Sequence, residues 1–215
     1  MSDEDAPLDV PLIEEAPAAS APPKWVAPTL RWYHWLVVVL VDMIGPFSTD
    51  SYIPNLPQMT KDLHTTASLA GATLQFNWIV KAVSTVAIGF LSDRPAIGRR
   101  RAILGAFVFY VVGTAGCALV PGARGAGGIY WLIGCRVVQA VGEAATAVTS
   151  AVARDVLSDP DEMMRMMALL GSLRPLMIVV APSVGGVLGS LFGWRLVFAG
   201  LCGLGVVTAG LVFFL

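Results

Sequence analysis

Charge is what this sequence has least of. Only 13% of its 215 residues are charged and 56% are hydrophobic, with a mean hydropathy of +0.72. A soluble domain needs about 25% charged residues, so a water-facing globule is excluded. The net charge of -1 and a pI of ≈ 6.1 provide no basic field for nucleic acid, which leaves the lipid bilayer as the expected surroundings. Cysteine is scarce too. Cys117, Cys135 and Cys202 are odd in number, far apart and set in apolar runs, which excludes a disulfide framework. The two histidines, His34 and His64, fall outside any metal-ligand spacing, so no metal and no cofactor is expected. Without a nucleophile beside a base, or a metal set, an intramembrane enzyme is excluded. The absence of a filter sequence weighs against a channel.

Proline is abundant at one end. Residues 1–30 hold six of the 14 prolines together with Asp3, Glu4, Asp5, Asp9, Glu14 and Glu15, a composition that cannot bury a core. The reading is a disordered, acidic, proline-rich tail without a removable leader. From residue 31 to 215 apolar segments recur at roughly 33–56, 67–91, 102–121, 129–153, 165–190 and 195–215, each about the 20 residues that cross a bilayer. Backbone groups in lipid must pair internally, so the segments are helices. The fold class read here is an all-α membrane protein of six transmembrane helices.

Basic residues orient the bundle. Lys24, Arg31, Arg94, Arg99, Arg100, Arg101, Arg154 and Arg165 fall in the tail and the second and fourth loops, whereas Lys61, Arg124 and Arg195 fall in the first, third and fifth. This imbalance puts the N-terminus in the cytoplasm, in a plasma membrane or bacterial inner membrane. Trp32, Trp35, Trp131 and Trp194 lie near span ends, where indoles anchor at headgroups.

Six ionisable residues lie inside the spans: Asp42 and Asp50 in the first, Lys81 in the second, Arg136 and Glu143 in the fourth, Arg174 in the fifth. Each costs about 2.5–3.5 kcal/mol at the centre of an isolated helix, so they must face protein or water. Three acids and three bases permit complete pairing. Counting depth along the helices favours Asp50 with Arg136, and puts Asp42 at the level of Lys81 and within reach of Glu143. Asp42, Pro46 and Asp50 repeat at i, i+4, i+8 and Arg136, Gln139 and Glu143 at i, i+3, i+7, so each set shares a helix face. Both faces can line one cavity. A carboxylate that gains or loses a cationic neighbour changes its proton affinity, which makes Asp42 and Asp50 the proton-site candidates.

The third and sixth spans carry no charge, and Gly186-Val187-Leu188…Gly193-Trp194-Arg195 echoes Gly89-Phe90-Leu91…Gly98-Arg99-Arg100. One turn lies inside and the other outside, which reads as two inverted three-helix repeats. Asp93 follows the end of the second span, at the negative end of its helix dipole, with Arg94 and Arg100 as the cations expected beside it.

Four motifs resemble the major facilitator superfamily, and within it the drug:proton antiporters of the bicyclomycin and chloramphenicol resistance type. Gly89, Leu91, Asp93, Arg94, Gly98, Arg99 and Arg100 resemble its signature between helices 2 and 3, with two extra residues around Pro95 and Ala96. Phe47–Pro57 is similar to the end of helix 1 in the antiporters. Arg136 to Gly142 resembles the helix 4 signature, with Glu143 where a small residue is usual, and Ala181 to Gly186 resembles the helix 5 motif, with Ala181 in place of a glycine. The resemblance implies half of a twelve-helix fold, a proton-coupling role for Arg136, a cytoplasmic latch at Gly89, Asp93, Arg94, Gly98, Arg99 and Arg100, and a hinge at Pro182, Gly185 and Gly186. It also implies a missing C-terminal half or a second copy as partner. The function expected is a secondary transporter exchanging a small-molecule substrate for protons by alternating access. A truncated, non-transporting membrane protein or assembly partner is the alternative.

Overall fold

The computed structural model describes residues 32–121, 127–157 and 159–214; the predicted tail over 1–30 lies outside them. Every regular element described is helical. α1 (Trp32–Tyr52) continues through a 3-10 turn (Ile53–Asn55) into the short α2 (Leu56–Asp62); α3 is Ala67–Asp93 and α4 is Gly98–Ala118. α5 (Gly127–Glu143), α6 (Thr146–Val156), α7 (Pro160–Phe192) and α8 (Trp194–Phe214) complete the order.

Local chemistry sets the boundaries. The Thr66 hydroxyl accepts from Leu69 N–H at the start of α3. At the start of α7 the Asp159 carboxylate accepts from Asp161 N–H, Pro160 takes the first helical position, and Asp161 and Glu162 complement the dipole. Gly193, at φ 84°, makes the sharp turn that separates α7 from α8, a backbone region that favours glycine.

Five stretches are long and apolar enough to cross a membrane: Tyr33–Asp62, Ala67–Asp93, Gly98–Ala118, Pro160–Phe192 and Trp194–Phe214. They cover five of the six predicted spans. The fourth predicted span differs. Its residues form two helices, α5 and α6, that meet at a turn over Ala144 and Ala145.

α4 packs chiefly between α5 and α8, α3 against α5, and α1 against α7. The contact between α4 and α5 is close because glycine is used there. A Cβ on Gly113 would overlap the Gln139 backbone, and one on Gly142 would overlap the Tyr110 backbone, the small-residue packing typical of helices in lipid. One buried apolar cluster gathers Val41, Ile44, Phe107, Tyr110 and Val148. Another gathers Tyr52, Met59, Leu63, Phe198 and Leu201. Trp194 belongs to the second, 1% exposed, with its indole N–H on the Asp62 carboxylate at 2.9 Å. It is a core residue and not the headgroup anchor expected of it, whereas Trp131 is exposed. The outer faces are apolar, with Trp78, Val83 and Phe90 on α3 and Ile178, Val179 and Leu191 on α7 all exposed. Apolar side chains inside and outside together suit a hydrocarbon surround.

Candidate functional site

A row of polar side chains runs through the apolar interior where α1, α3 and α5 meet. Arg136, Gln139 and Glu143 on α5 are each 0% exposed, as their shared helix face requires. The Arg136 guanidinium donates from Nη1 to Gln139 Oε1 at 3.0 Å, and Gln139 Nε2 donates to Ser48 Oγ at 2.6 Å. The guanidinium lies 4.6 Å from the centre of the Tyr52 ring and 5.9 Å from that of Phe198, and such faces attract a cation. Its Nε and Nη2 are buried with no hydrogen-bond partner among the described residues. One turn further along α5, Glu143 Oε2 accepts from Thr49 Oγ1 at 3.1 Å and pairs with Lys81 Nζ at 3.3 Å. From α3, Asn77 donates to the Arg136 carbonyl at 3.4 Å, and the Thr73 hydroxyl shares a hydrogen bond with Tyr52.

The expected partnership of Asp50 with Arg136 is not formed. Ser48 and Tyr52, four residues apart, face α5, and Asp50 projects about 200° around the helix from Ser48. Among the described residues no hydrogen bond or ion pair reaches Asp50, which stands instead in the field of Lys81 and Glu143.

Asp42 also departs from its expected neighbours. It lies about two helical turns from Thr49, the residue at the level of Glu143. It is fully buried and held by Arg174 in a two-pronged pair, Nε to Oδ2 at 2.9 Å and Nη2 to Oδ1 at 2.7 Å. Thr149 Oγ1 donates to Oδ1 at 2.8 Å. The three bonds tie α1 to α6 and α7. Asp42→Asn keeps the shape and removes the charge; a charge-assisted hydrogen bond contributes about 1.5–3 kcal/mol, and thermal unfolding of the purified protein should register a loss of about 2 kcal/mol. Neither arrangement read from depth is formed among the described residues: Asp42 pairs with Arg174, and Lys81 pairs with Glu143 of α5.

At the other end of α3, Asp93 receives its cation from Arg99, Nη1 to Oδ1 at 2.7 Å, and not from Arg94 or Arg100. Arg99 Nε also reaches Asp155 at 2.5 Å and its Nη1 reaches Ser92 Oγ at 3.2 Å. Arg100 points away, donating to the Val212 and Phe213 carbonyls at the end of α8, where a cation complements the helix dipole. The reason is rotation along α4: successive residues are about 100° apart, so Arg99 and Arg100 cannot serve the same neighbour.

Comparison with known proteins completes the site. Residues 38–215 match the family profile of the Major Facilitator Superfamily. The chain belongs to that superfamily. It is 34% identical over 169 residues to the chloramphenicol resistance protein of Pseudomonas aeruginosa, covering 78% of this chain and 38% of that protein. It is 28% identical over 198 residues to citrate exporter 1 of Aspergillus niger, covering 92% and 36%. The crystal structure of a D-xylose-proton symporter superposes with a TM-score of 0.70 at 16% identity, over 86% of this chain and 48% of that one, a likeness of fold. The chain therefore spans less than half the length of the relatives it matches. Superfamily membership and the long apolar helices together make this a multi-pass integral membrane protein.

In superfamily terms, the helix 5 motif lies where α7 passes α1. α7 runs unbroken through Pro175 and Pro182. Gly185 is buried, its carbonyl accepts from Asn55 Nδ2 at 3.0 Å, and a Cβ there would overlap the Ser51 backbone. A Cβ on Gly186 would meet Pro54 at 3.4 Å, an ordinary contact. Sequence reasoning held Ser48, Thr49 and Tyr52 only as part of the Phe47–Pro57 motif, with no role beside Arg136 or Glu143, and overlooked Asn77 and Phe198 around Arg136 and Asp155 beside Arg99. Polar side chains inside an apolar helix were the available signal for Ser48, Thr49 and Asn77.

Proposed function

We propose that this chain is one half of a proton-coupled antiporter that exports small organic compounds by alternating access. In this reading α5 and α6 together form one span, giving six spans as two inverted three-helix repeats with the N-terminus in the cytoplasm. A second six-helix half, or a second copy, closes the cavity. One observation carries it: Arg136 is kept charged, fully buried and without an acid partner among the described residues, beside Gln139 and Glu143. Such an arrangement costs stability in lipid and is explained by a charge that changes partner when the halves rock. Asp50, two residues from Ser48 and on the other side of α1, where it stands in the field of Lys81 and Glu143, is the proton carrier in this scheme. Arg99, Asp93 and Asp155 form the cytoplasmic latch, and Pro182, Gly185 and Gly186 the point about which α7 bends. Relatives named for chloramphenicol resistance and for citrate export support export of small organic molecules as the class.

The test is dye and antibiotic efflux from cells lacking their own exporters, with proton movement followed in inverted vesicles. The wild-type chain should lower cellular dye and exchange it for protons. Asp50→Asn should reduce proton-driven efflux by about 100-fold, the lower end of what a positioned proton-transferring group contributes, with unchanged insertion. Undiminished proton-driven efflux in Asp50→Asn rejects the carrier assignment. Absence of efflux from well-inserted wild-type protein favours the non-transporting membrane partner instead.

A further inference from the structure

We propose that Cys117 and Cys135 form a reversible oxidation site, two thiols that a peroxide joins into a disulfide between α4 and α5. Helix register gives the first observation. A Cβ on Gly142 would overlap the Tyr110 backbone, and one on Gly113 would overlap the Gln139 backbone. Tyr110 therefore stands opposite Gly142, and Gly113 opposite Gln139, with the two helices antiparallel. One further turn along α4 reaches Cys117, and the same turn back along α5 reaches Cys135. Residues three and four apart share a helix face, so the two cysteines stand opposite each other. Separate in the sequence, they are brought together by packing.

Side-chain contacts give the second. A Cβ on Gly116, the residue before Cys117, would overlap Cys135 Sγ at 2.5 Å and meet its Cβ at 3.4 Å. The Cys135 thiol thus lies against the α4 backbone. From α4, the Cys117 thiol donates to Gln139 Oε1 at 3.9 Å, one turn along α5 from Cys135. The two thiols interact directly and pack in one apolar cluster. A disulfide needs Cα atoms about 4.4–6.8 Å apart, a separation that helices in backbone contact provide. Cys202 is placed differently, on α8 with its thiol on the Val111 carbonyl at 3.8 Å.

Access sets the order of the chemistry. Cys117 is fully buried and Cys135 half-buried, so Cys135 meets the oxidant first. Hydrogen peroxide, small and uncharged, converts the Cys135 thiol to a sulfenic acid and releases one water. The Cys117 sulfur then attacks the sulfenic sulfur; its proton leaves with the hydroxyl as a second water, and the S–S bond forms. Two thiols are oxidised and one peroxide is reduced. The exposed Trp131 donates its indole N–H to the Gly116 carbonyl at 3.1 Å, and indoles gather at headgroup level, within reach of a water-borne oxidant. The bond staples α4 to the helix that carries Arg136, and it takes the Cys117 proton from Gln139 Oε1, leaving that oxygen to Arg136. In the orientation proposed above this end of α4 faces outward, where disulfides persist; that placement rests on the transporter reading, and the bond-forming step does not.

The test treats the purified full chain in detergent with hydrogen peroxide, blocks the remaining thiols with N-ethylmaleimide and reads the mass. Of the three cysteines, only Cys202 should take up maleimide. Tryptic cleavage at Arg124, between the paired cysteines, should release two joined peptides that dithiothreitol separates. The unfolding temperature should rise by about 6 °C on oxidation and fall back on reduction. Cys202→Ala should cross-link as the wild type does, whereas Cys117→Ala should leave Cys135 carrying oxygen. Should Cys117→Ala fail to accumulate, the wild type and Cys202→Ala decide the matter by themselves. Three blocked thiols after peroxide, an oxidised Cys135 beside a free Cys117 in the wild type, or a bond between two chains overturns the site. The readout is covalent, so cross-linking without dye efflux rejects the exporter and keeps the site, and efflux with three blocked thiols does the reverse.

Discussion

Arg136→Met leaves the folded protein at least as stable as the native one and removes proton-driven efflux by about 100-fold, if the charge serves the transport cycle. The argument begins with desolvation. Arg136 is fully buried, and its hydrogen bond to Gln139 and the two aromatic faces, Tyr52 and Phe198, offset only part of the cost of taking a cation out of water. Methionine is apolar and flexible enough to occupy the same space. Replacement of buried ionic groups by well-packed apolar ones is often neutral or stabilising by about 1–4 kcal/mol. Thermal unfolding and dye efflux measured on the same variant separate the two effects. A large fall in unfolding temperature with efflux per folded molecule intact would make Arg136 a structural residue, and the proposed mechanism would lose its centre.

Gly142→Leu produces the largest structural effect. The Gly142 position is pressed against Tyr110 so closely that even a Cβ would overlap the Tyr110 backbone. Single extra methylenes in a packed core cost about 1–3 kcal/mol. A leucine must push α4 and α5 apart along their whole contact, with a loss of at least ~3 kcal/mol expected. Size-exclusion chromatography of detergent extracts should show aggregated protein in place of the native peak. Gly105→Leu is the control, because Gly105 lies on α4 with open space around its Cβ position and should behave as wild type. A native peak for Gly142→Leu would mean that the contact between α4 and α5 is looser than described.

How much of this was legible beforehand can be argued residue by residue. The apolar runs predicted helices, because lipid leaves the backbone no other partners, and five of the expected stretches are helices long enough to cross. The i, i+3, i+7 spacing of Arg136, Gln139 and Glu143 predicted one face, and all three are buried together. Depth counting failed for Asp42 and Asp50. Depth measures height along a helix and carries no information on which neighbour lies at that height. Arg174 reaches Asp42 across the contact of α1 with α7, a proximity made by packing. The break after Glu143 was equally hidden, since Ala144-Ala145-Thr146 has no glycine or proline to announce a turn.

The sequence by itself determined that this chain is helical, lies in lipid and concentrates its few charges inside the spans, because hydropathy and spacing are properties of the chain alone. Only the tertiary structure decided who pairs with whom: Arg174 with Asp42, Lys81 with Glu143, Arg99 with Asp93 and Asp155, and Arg136 with aromatic faces. Ion pairing needs separations of a few ångströms in three dimensions, and those are fixed by helix rotation and by how closely glycines let neighbouring helices approach.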